Sequence, residues 1–249
     1  MKKPWGMRSR VSAAHTVAGT ANAAGSVLTG AVNGKVLVLA CLLDIDAFPW
    51  QADWYRSTIR AALGADNRDT VALQFMDNAH HENPLDALQR AHSVSFAGAL
   101  QQGLRDLARW VEEGVSPAET AYRIKDAQVI LPPDADERGG IQPVIELAVN
   151  GGERADVATG QEVAFTARIT VPKDAGKLVS AQWDFEGAGD FPVEAQVEPG
   201  EVVTLTARWT YETAGQRFPA LRVASQRDGD ARTPYGRIEN IALVRVVAR

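Results

Sequence analysis

The stretch Val163-Ala-Phe-Thr-Ala-Arg-Ile-Thr-Val171 places an apolar residue at every second position. Successive side chains of a strand point to opposite faces of a sheet, so this pattern predicts a strand with one buried face. Comparable runs lie near 143–149, 178–186, 192–198, 201–211, 217–227 and 239–248. About seven short strands separated by turn residues predict an all-β sandwich over residues 140–249.

The totals of the chain exclude several classes of protein. The 249 residues suffice for one large domain or two small ones, and the net charge of −5 comes with no basic stripe that would indicate a nucleic-acid-binding protein. The single cysteine, Cys41, excludes an internal disulfide framework and a Cys-rich metal site, and its apolar neighbours predict a buried, inert thiol. No run of about eighteen apolar residues occurs, so no transmembrane helix is predicted.

The first half of the chain has a different pattern. Lys35-Val-Leu-Val-Leu-Ala-Cys-Leu-Leu43 is continuously apolar, which predicts a strand buried on both faces, as in a parallel sheet. A helix over about 50–63 and a second apolar run at 70–75 complete a βαβ pattern. A further helix is predicted over 95–113, with an apolar stripe that covers the sheet. The stripe consists of Phe96, Leu100, Leu104, Leu107 and Val111.

These patterns divide the chain into four parts. Residues 1–34 are small and polar and are predicted to be poorly structured, without the continuous apolar core of a clear signal peptide. Residues 35–114 form an α/β segment, and the charged, turn-rich residues 115–139 are predicted to be a linker. Residues 140–249 form the sandwich. Because two parallel strands cannot bury a strand on both sides, we expect the sandwich to fold by itself and the α/β segment not to.

Two motifs of the sandwich resemble those of a PKD-type domain, which is immunoglobulin-like. Trp183-Asp-Phe-Glu-Gly187 is similar to the family's W-D-F-G-D-G turn, from which it departs at Glu186 and Ala188. Tyr211-Glu-Thr-Ala-Gly-Gln-Arg-Phe-Pro-Ala-Leu-Arg-Val223 is similar to its Y-x-x-x-G-x-Y-x-V-x-L pattern, with Phe218 as the second aromatic residue. Trp183 is predicted to be a core anchor, while Asp184 and Asp190 are candidate calcium ligands.

The α/β segment resembles the C-terminal end of an α/β-hydrolase in the order of its parts. In that fold an acid follows a late strand, a histidine follows the last strand, and a helix ends the domain. Here Asp44 follows the run 35–43, and the histidines His80 and His81 follow the run 70–75. Asp44-Ile-Asp-Ala-Phe-Pro-Trp-Gln-Ala-Asp-Trp-Tyr-Arg56 also resembles exported hydrolases that carry a C-terminal PKD-like domain.

This resemblance implies a secreted or periplasmic hydrolase that acts on esters or peptides without a cofactor. Asp44 would be the acid and His81 the base, with Asp46 and His80 as the respective alternates, because a histidine base needs a carboxylate on its other nitrogen. Trp50, Trp54 and Tyr55 would line the substrate pocket, or form only the contact face of the helix. A metal site built from Asp44, Asp77, His80, His81 and Glu82 is the less favoured interpretation.

The nucleophile of such a hydrolase is missing from the sequence. The motif G-x-S-x-G does not occur, and Ser26 follows no predicted strand. The chain is therefore interpreted as the C-terminal portion of a hydrolase, inactive alone and completed by an upstream hydrolase segment or by a second copy at the edge of 35–43. The alternative is a non-catalytic binding or adhesion module, whose sandwich takes a protein or polysaccharide ligand.

Overall fold

The computed structural model describes residues 28–64 and 69–249. The helices are α1 (Trp50–Leu63), α2 (Ala87–Arg90), α3 (Ala97–Glu113) and α4 (Ala135–Arg138). The strands of the first part are β1 (Val36–Cys41), β2 (Val71–Met76), β3 (Arg123–Lys125) and β4 (Gln128–Ile130). The strands of the second part are β5 (Val144–Val149), β6 (Arg154–Val157), β7 (Glu162–Thr170), β8 (Lys177–Asp184), β9 (Val193–Ala195), β10 (Val202–Thr210), β11 (Gly215–Arg217), β12 (Ala220–Gln226), β13 (Ile238–Leu243) and β14 (Arg245–Ala248).

The predicted sandwich is confirmed. One antiparallel sheet has the order β10-β7-β5, and the facing antiparallel sheet has the order β13-β12-β8-β9. A small sheet, β11-β14-β6, lies beside them. Side chains of β7 alternate between exposed and buried along the strand, as its sequence predicts. Each sheet pairs strands that are distant in sequence, such as β8 with β12, and the two sheets form two layers, which gives residues 140–249 an immunoglobulin-like β-sandwich fold.

Aromatic rings fill the centre of the sandwich. Trp183 is 2% exposed and stacks on Phe185, with ring centroids 5.5 Å apart, while Phe165 packs against both. The buried Tyr211 donates a hydrogen bond from its hydroxyl to the carbonyl oxygen of Phe185, at 2.8 Å. Phe218, expected as the second aromatic residue of the motif, is 45% exposed and lies outside this core.

Asp184 has a structural role in the turn after β8. Its two carboxylate oxygens accept hydrogen bonds from the backbone N–H groups of Gly187 and Gly189. The side chain is buried, so these bonds satisfy a carboxylate that would otherwise be costly to bury. Asp190 is exposed.

The first half contains the expected βαβ unit. β1 and β2 are parallel, with Val36 opposite Val71 and Cys41 opposite Met76, and α1 connects them. Every residue of β2 is buried, whereas most of β1 is only half-buried, because β1 pairs on one side alone within the described residues. Of the segment 1–34, residues 1–27 lie outside the described residues, and 28–34 contain neither helix nor strand.

The predicted orientation of the final helix of this unit is wrong. Its buried face consists of Gly98, Ala99, Gln102, Gly103, Asp106 and Trp110. Three of the five residues of the predicted apolar stripe, Leu100, Leu104 and Val111, instead face outward and are between 45% and 65% exposed, whereas Phe96 and Leu107 are half-buried. The glycines of this face let the helix approach its neighbours closely. A Cβ added at Gly103 would lie 3.2 Å from the Leu37 side chain of β1.

The residues predicted as a linker contain regular structure. β3 and β4 form an antiparallel hairpin, and α4 follows them, capped by the Asp134 side chain. Thr120 and Gly139 form an isolated bridge beside this hairpin. Strands of three or four residues, such as β6 and β11, are too short to give a clear alternation, and the single run expected at 239–248 divides into β13 and β14.

The two halves share a hydrophobic core. Cys41, Met76, Ala79, Val94 and Ala99 of the first half belong to the same buried cluster as the sandwich aromatics. Gly98 of α3 touches the backbone ahead of β13 so closely that an added Cβ would lie 1.7 Å from the carbonyl oxygen of Arg237. The sandwich therefore supports the βαβ unit by direct packing.

Candidate active site

The predicted acid and base lie at one edge of the small parallel sheet. Asp44 follows β1 and His81 follows β2, and parallel neighbours end at the same edge. Two backbone hydrogen bonds continue the pairing beyond the strands, from Leu42 N to Met76 O at 2.9 Å and from Leu43 N to Ala79 O at 3.0 Å. The two turns are thereby held side by side.

His81 and Asp44 form a direct contact. The Nδ1 atom of His81 lies 2.9 Å from Oδ1 of Asp44. The same Asp44 oxygen accepts hydrogen bonds from the backbone N–H groups of Asp46 and Ala47, each at 2.9 Å. The Asp44 side chain is 8% exposed and the His81 side chain 47%, so a held carboxylate orients an accessible imidazole. This arrangement presents Nε2 of His81 as the available base atom.

The alternates occupy different surroundings. Asp46 is exposed, and its Oδ2 atom lies 3.9 Å from Nε2 of His81. His80 is half-buried, and within the described part of the chain no carboxylate oxygen comes within 4.0 Å of its ring. The structure thus brings together the first-choice pair, while the catalytic roles of these residues stay predictions.

Each partner shifts the pKa of the other. Burial alone would raise the pKa of Asp44, but the N–H donors of Ala47 and Asp46 and the hydrogen bond from His81 outweigh it and lower the pKa below its usual range. The hydrogen bond and the negative charge of Asp44 raise the pKa of His81 above its usual value. Each shift therefore favours the charged form of its residue more in the folded state than in the unfolded chain.

The pair is expected to make folding stability depend on pH. A raised histidine pKa stabilises the fold fully below about pH 6.5, the unfolded value, and this contribution disappears as the pH rises through the folded pKa of His81. A lowered aspartate pKa stabilises the fold above about pH 3.9 and is lost as the pH falls through the folded pKa of Asp44. The joint contribution should be largest between about pH 4 and 6.5.

An NMR titration of the imidazole signals measures the pKa of His81, on which this pH dependence of stability rests. Asp44→Asn should lower the pKa of His81, because it removes the negative charge beside Nδ1. An unchanged His81 titration in the variant would contradict the contact in the structure.

An apolar cavity of about 710 Å³ opens beside the pair. The three predicted pocket residues, Trp50, Trp54 and Tyr55, all line it, together with Asp44 and His81. Further lining residues are Phe48, Pro49, Phe96 and Leu100, with Val38, Leu39 and Ala40 of β1. Its volume falls in the range of about 300–1,000 Å³ that holds small organic ligands. The role of Trp50, Trp54 and Tyr55 in binding substrate stays a prediction.

The described residues offer no nucleophile beside the base. No serine, threonine or cysteine of 28–64 and 69–249 forms a hydrogen bond with His81. Cys41 lines the same cavity, but burial and the charge of Asp44 raise the pKa of its thiol to about 11. A thiol with this pKa is uncharged at neutral pH, so Cys41 is an inert residue of the cavity wall. Ser26 lies outside the described residues.

A metal-binding interpretation is restricted to one trio in the described part of the chain. Asp44, Asp46 and His81 each offer a ligand atom, and these atoms lie within 4.8 Å of one another. Asp77, from the larger predicted set, instead pairs with Arg138 at 3.4 Å. Because Oδ1 of Asp44 already accepts from two backbone N–H groups and faces the imidazole, a hydrogen-bonded pair accounts for the contacts better than a metal centre.

No local sequence pattern identifies the residues that hold the histidine turn. Asn78 has a φ of 55°, and its Nδ2 atom donates to Oδ1 of Asn240 and to the carbonyl oxygen of Ile241, both at 3.0 Å. Asn240 lies in β13 and is 3% exposed. A single asparagine within the run 239–248 was the only available sign of a buried polar contact.

Gln142 adds a second connection to the same turn. Its Oε1 accepts from the N–H of Asp77 at 2.8 Å, and its Nε2 donates to the carbonyl oxygens of Asp77 and Glu239, each at 2.9 Å. We call Asn78, Gln142 and Asn240 the polar clamp. Through it, the sandwich fixes the backbone from which His81 projects.

No protein-family model matches the chain, and no curated protein matches it. The crystal structure of the CARDB domain of a Pyrococcus furiosus protein, in complex with di-metal ions, is 13% identical, covers 43% of this chain and 90% of that domain, and has a TM-score of 0.28. The solution NMR structure of that domain is 14% identical over 43% and 95%, with a TM-score of 0.30. A β-glucosidase from Listeria innocua is 12% identical over 96% of this chain and 39% of the enzyme, with a TM-score of 0.23.

These similarities do not bear on activity. Their identities and TM-scores are too low for an inference, so the sandwich assignment depends on the strand topology of the chain itself.

None of the described helices combines the length and the apolar composition needed to cross a membrane.

Proposed function

We propose that residues 35–114 hold the acid and base of a serine-hydrolase-type site, with Asp44 as acid and His81 as base. The observation that carries the proposal is the 2.9 Å contact between His81 Nδ1 and Asp44 Oδ1 at the mouth of the apolar cavity. The cavity would take the apolar acyl part of an ester or peptide. Because no serine, threonine or cysteine of residues 28–64 and 69–249 forms a hydrogen bond with His81, we expect no turnover by this chain alone.

We further propose that the partner of this site is a hydrolase segment that supplies both the serine and a parallel strand next to β1. Two observations support this partner. The backbone edge of β1 opposite β2 is unpaired within the described residues, although the strand is wholly apolar. The exposed stripe of α3 (Leu100, Leu104 and Val111) lies on the helix that packs against β1, and Phe48 and Trp54 add exposed apolar area. Parallel strands of this composition are normally covered on both sides.

A second copy of the chain is the competing partner for this apolar surface. Sedimentation velocity over a hundredfold range of concentration distinguishes the two partners. The proposal expects a monomer throughout, because a serine-bearing strand and not a copy of β1 completes the site. A concentration-dependent dimer that dissociates on Leu104→Glu would replace the proposed partner with a homo-oligomer.

An affinity label tests the acid–base pair directly. An apolar acyl chloromethyl ketone should alkylate Nε2 of His81, forming a C–N bond while chloride leaves and a proton is released to solvent. The reaction should be faster at His81 than at His80, because only His81 borders the cavity. Peptide mapping by mass spectrometry after a time course measures both rates. At a pH where the His81 imidazole is neutral in both proteins, Asp44→Asn is expected to slow the reaction at His81, because a less basic imidazole is a weaker nucleophile.

Two results would overturn the proposal. Equal alkylation of His80 and His81, with no protection by an apolar amide, would show that the cavity does not direct ligands to the base. Stoichiometric labelling of a serine of this chain by a fluorophosphonate would show that the chain contains its own nucleophile. We also propose, on the resemblance alone, that the protein is exported to the periplasm or the medium. Cell fractionation tests this part of the proposal.

The second candidate function is non-catalytic binding through the sandwich. The observation that favours it is a polar cavity of about 340 Å³ on the outer face of the four-stranded sheet, away from Asp44 and His81. A binding module is the simpler function because the described residues place no nucleophile beside His81, and it would leave the hydrolase-like pair without a present role. Retained ligand binding by the His81→Ala variant would separate the two functions.

A further inference from the structure

The outer face of the four-stranded sheet carries a regular grid of side chains around this cavity. Gln182 of β8 lies opposite Arg222 of β12 and opposite Glu194 of β9. In the neighbouring row, Ala224 of β12 lies between Ser180 of β8 and Glu239 of β13. Because Ala224 has the shortest side chain of its row, it leaves a depression that polar residues surround.

Two arginines in this cavity lack a carboxylate partner. Nη2 of Arg222 donates to Oε1 of Gln182 at 2.8 Å, and the guanidinium lies 4.2 Å from the ring centroid of Phe191. Arg237 donates to the hydroxyl oxygen of Ser180 at 2.6 Å and to the carbonyl oxygen of Ala231 at 3.1 Å. Within the described ranges, no carboxylate oxygen comes within 4.0 Å of either guanidinium.

The surroundings of Arg222 make this lack of a counter-ion costly. Burial lowers the pKa of Arg222 below its usual value, Glu239 opposes this shift, and the positive charge of Arg90 adds to it. Glu239 is already engaged, since its Oε2 accepts from the N–H of Ser95 at 3.2 Å. Half-buried cations normally have an anionic partner, so the cavity is complementary to a negative group.

We propose that this cavity binds a small hydroxy acid, whose carboxylate contacts Arg222 and Arg237 and whose hydroxyl groups contact Glu194, Gln182 and Ser180. The carboxylate provides the missing counter-ion, and its planar geometry suits a guanidinium. Glu194 and Glu239, which also line the cavity, disfavour a second anionic group and can accept hydrogen bonds from hydroxyls. A volume of about 340 Å³ suits one ligand of the size of a single sugar acid.

Titration calorimetry on the full chain tests this site with D-glucuronate as the probe, at constant ionic strength. The expected result is saturable 1:1 binding of glucuronate and no binding of D-glucose, which lacks the carboxylate. Arg222→Gln should weaken binding at least about tenfold, because it removes a charge-assisted hydrogen bond to the ligand. Arg168→Gln is the matched control, since that exposed arginine pairs with Glu146 on the other sheet.

Arg237→Gln is the second variant, for use if Arg222→Gln does not fold by circular dichroism. The absence of saturable glucuronate binding would overturn the proposal, as would equal affinity in the wild type and both cavity variants. Glucose binding as tight as glucuronate would exclude recognition of the carboxylate. Phosphate binding as tight as glucuronate would show an unselective anion site and exclude recognition of the hydroxyl groups.

Discussion

Trp183→Ala is expected to lower the free energy of unfolding by about 3–5 kcal/mol, the range for removing a large aromatic side chain from a packed core. Trp183 is 2% exposed, and its ring stacks on Phe185 at an interplanar angle of 9°. Phe165 contacts both rings, so the loss leaves a cavity that β7, β8 and the turn after β8 would have to collapse to fill. Denaturation with urea, followed by circular dichroism, measures the change.

Trp54→Ala provides the matched control for this prediction. Trp54 is half-exposed and lines the candidate substrate cavity, so its removal deletes the same atoms without opening the core. Its effect should remain within about 0.5 kcal/mol, as for most surface substitutions. Comparable losses in the two variants would refute the assignment of the stacked rings as the centre of the fold.

Asn240→Ala is expected to have the second-largest effect, because it removes the central residue of the polar clamp. The Asn240 side chain accepts from Asn78 and donates to the carbonyl oxygen of Pro143 at 2.7 Å. The side-chain amide of Asn78 and the carbonyl group of Pro143 would each lose a hydrogen bond inside the protein. Leaving one buried polar group unsatisfied costs about 1–3 kcal/mol. We therefore expect the free energy of unfolding to fall by about 2–4 kcal/mol.

The same substitution should alter the candidate site itself. Asn78 precedes His81 by three positions, so release of its side chain should loosen the turn and move the pKa of His81 back toward its usual value. Asn83→Ala is the control, because Asn83 lies in the same turn but is exposed and bonds only to Ser95. If NMR titrations gave the same His81 pKa in wild type and Asn240→Ala, the clamp would be structural and without influence on the pair.

Local patterns predicted the elements of the fold better than their contacts. The alternation at 163–171 identified β7, and the helix expected over about 50–63 is α1. The face of α3 was predicted wrongly because an apolar stripe was assumed to be the buried one, whereas Gly103 allows the close contact with Leu37 of β1 and Gly98 the close contact with the backbone of Arg237. Short strands such as β3 offered too few residues for a periodic signal.

The candidate site shows the same limit. The order of strands and polar turns placed Asp44 beside His81, because parallel strands must end at one edge. The clamp could not be predicted in this way, since Asn78 and Asn240 are 162 positions apart and no local pattern joins them. Only the tertiary packing of β13 against the turn connects these two residues.

The separation between the clamp residues also has a consequence for the timing of synthesis. A ribosome adds about 5–20 residues per second, so Asn78 waits roughly 8–32 s for Asn240 to be made. During that interval the nascent histidine turn lacks its main support, while β1 and β2 are already available to pair. The geometry of Asp44 and His81 is therefore completed late, when the last strands have left the ribosome and closed the sandwich.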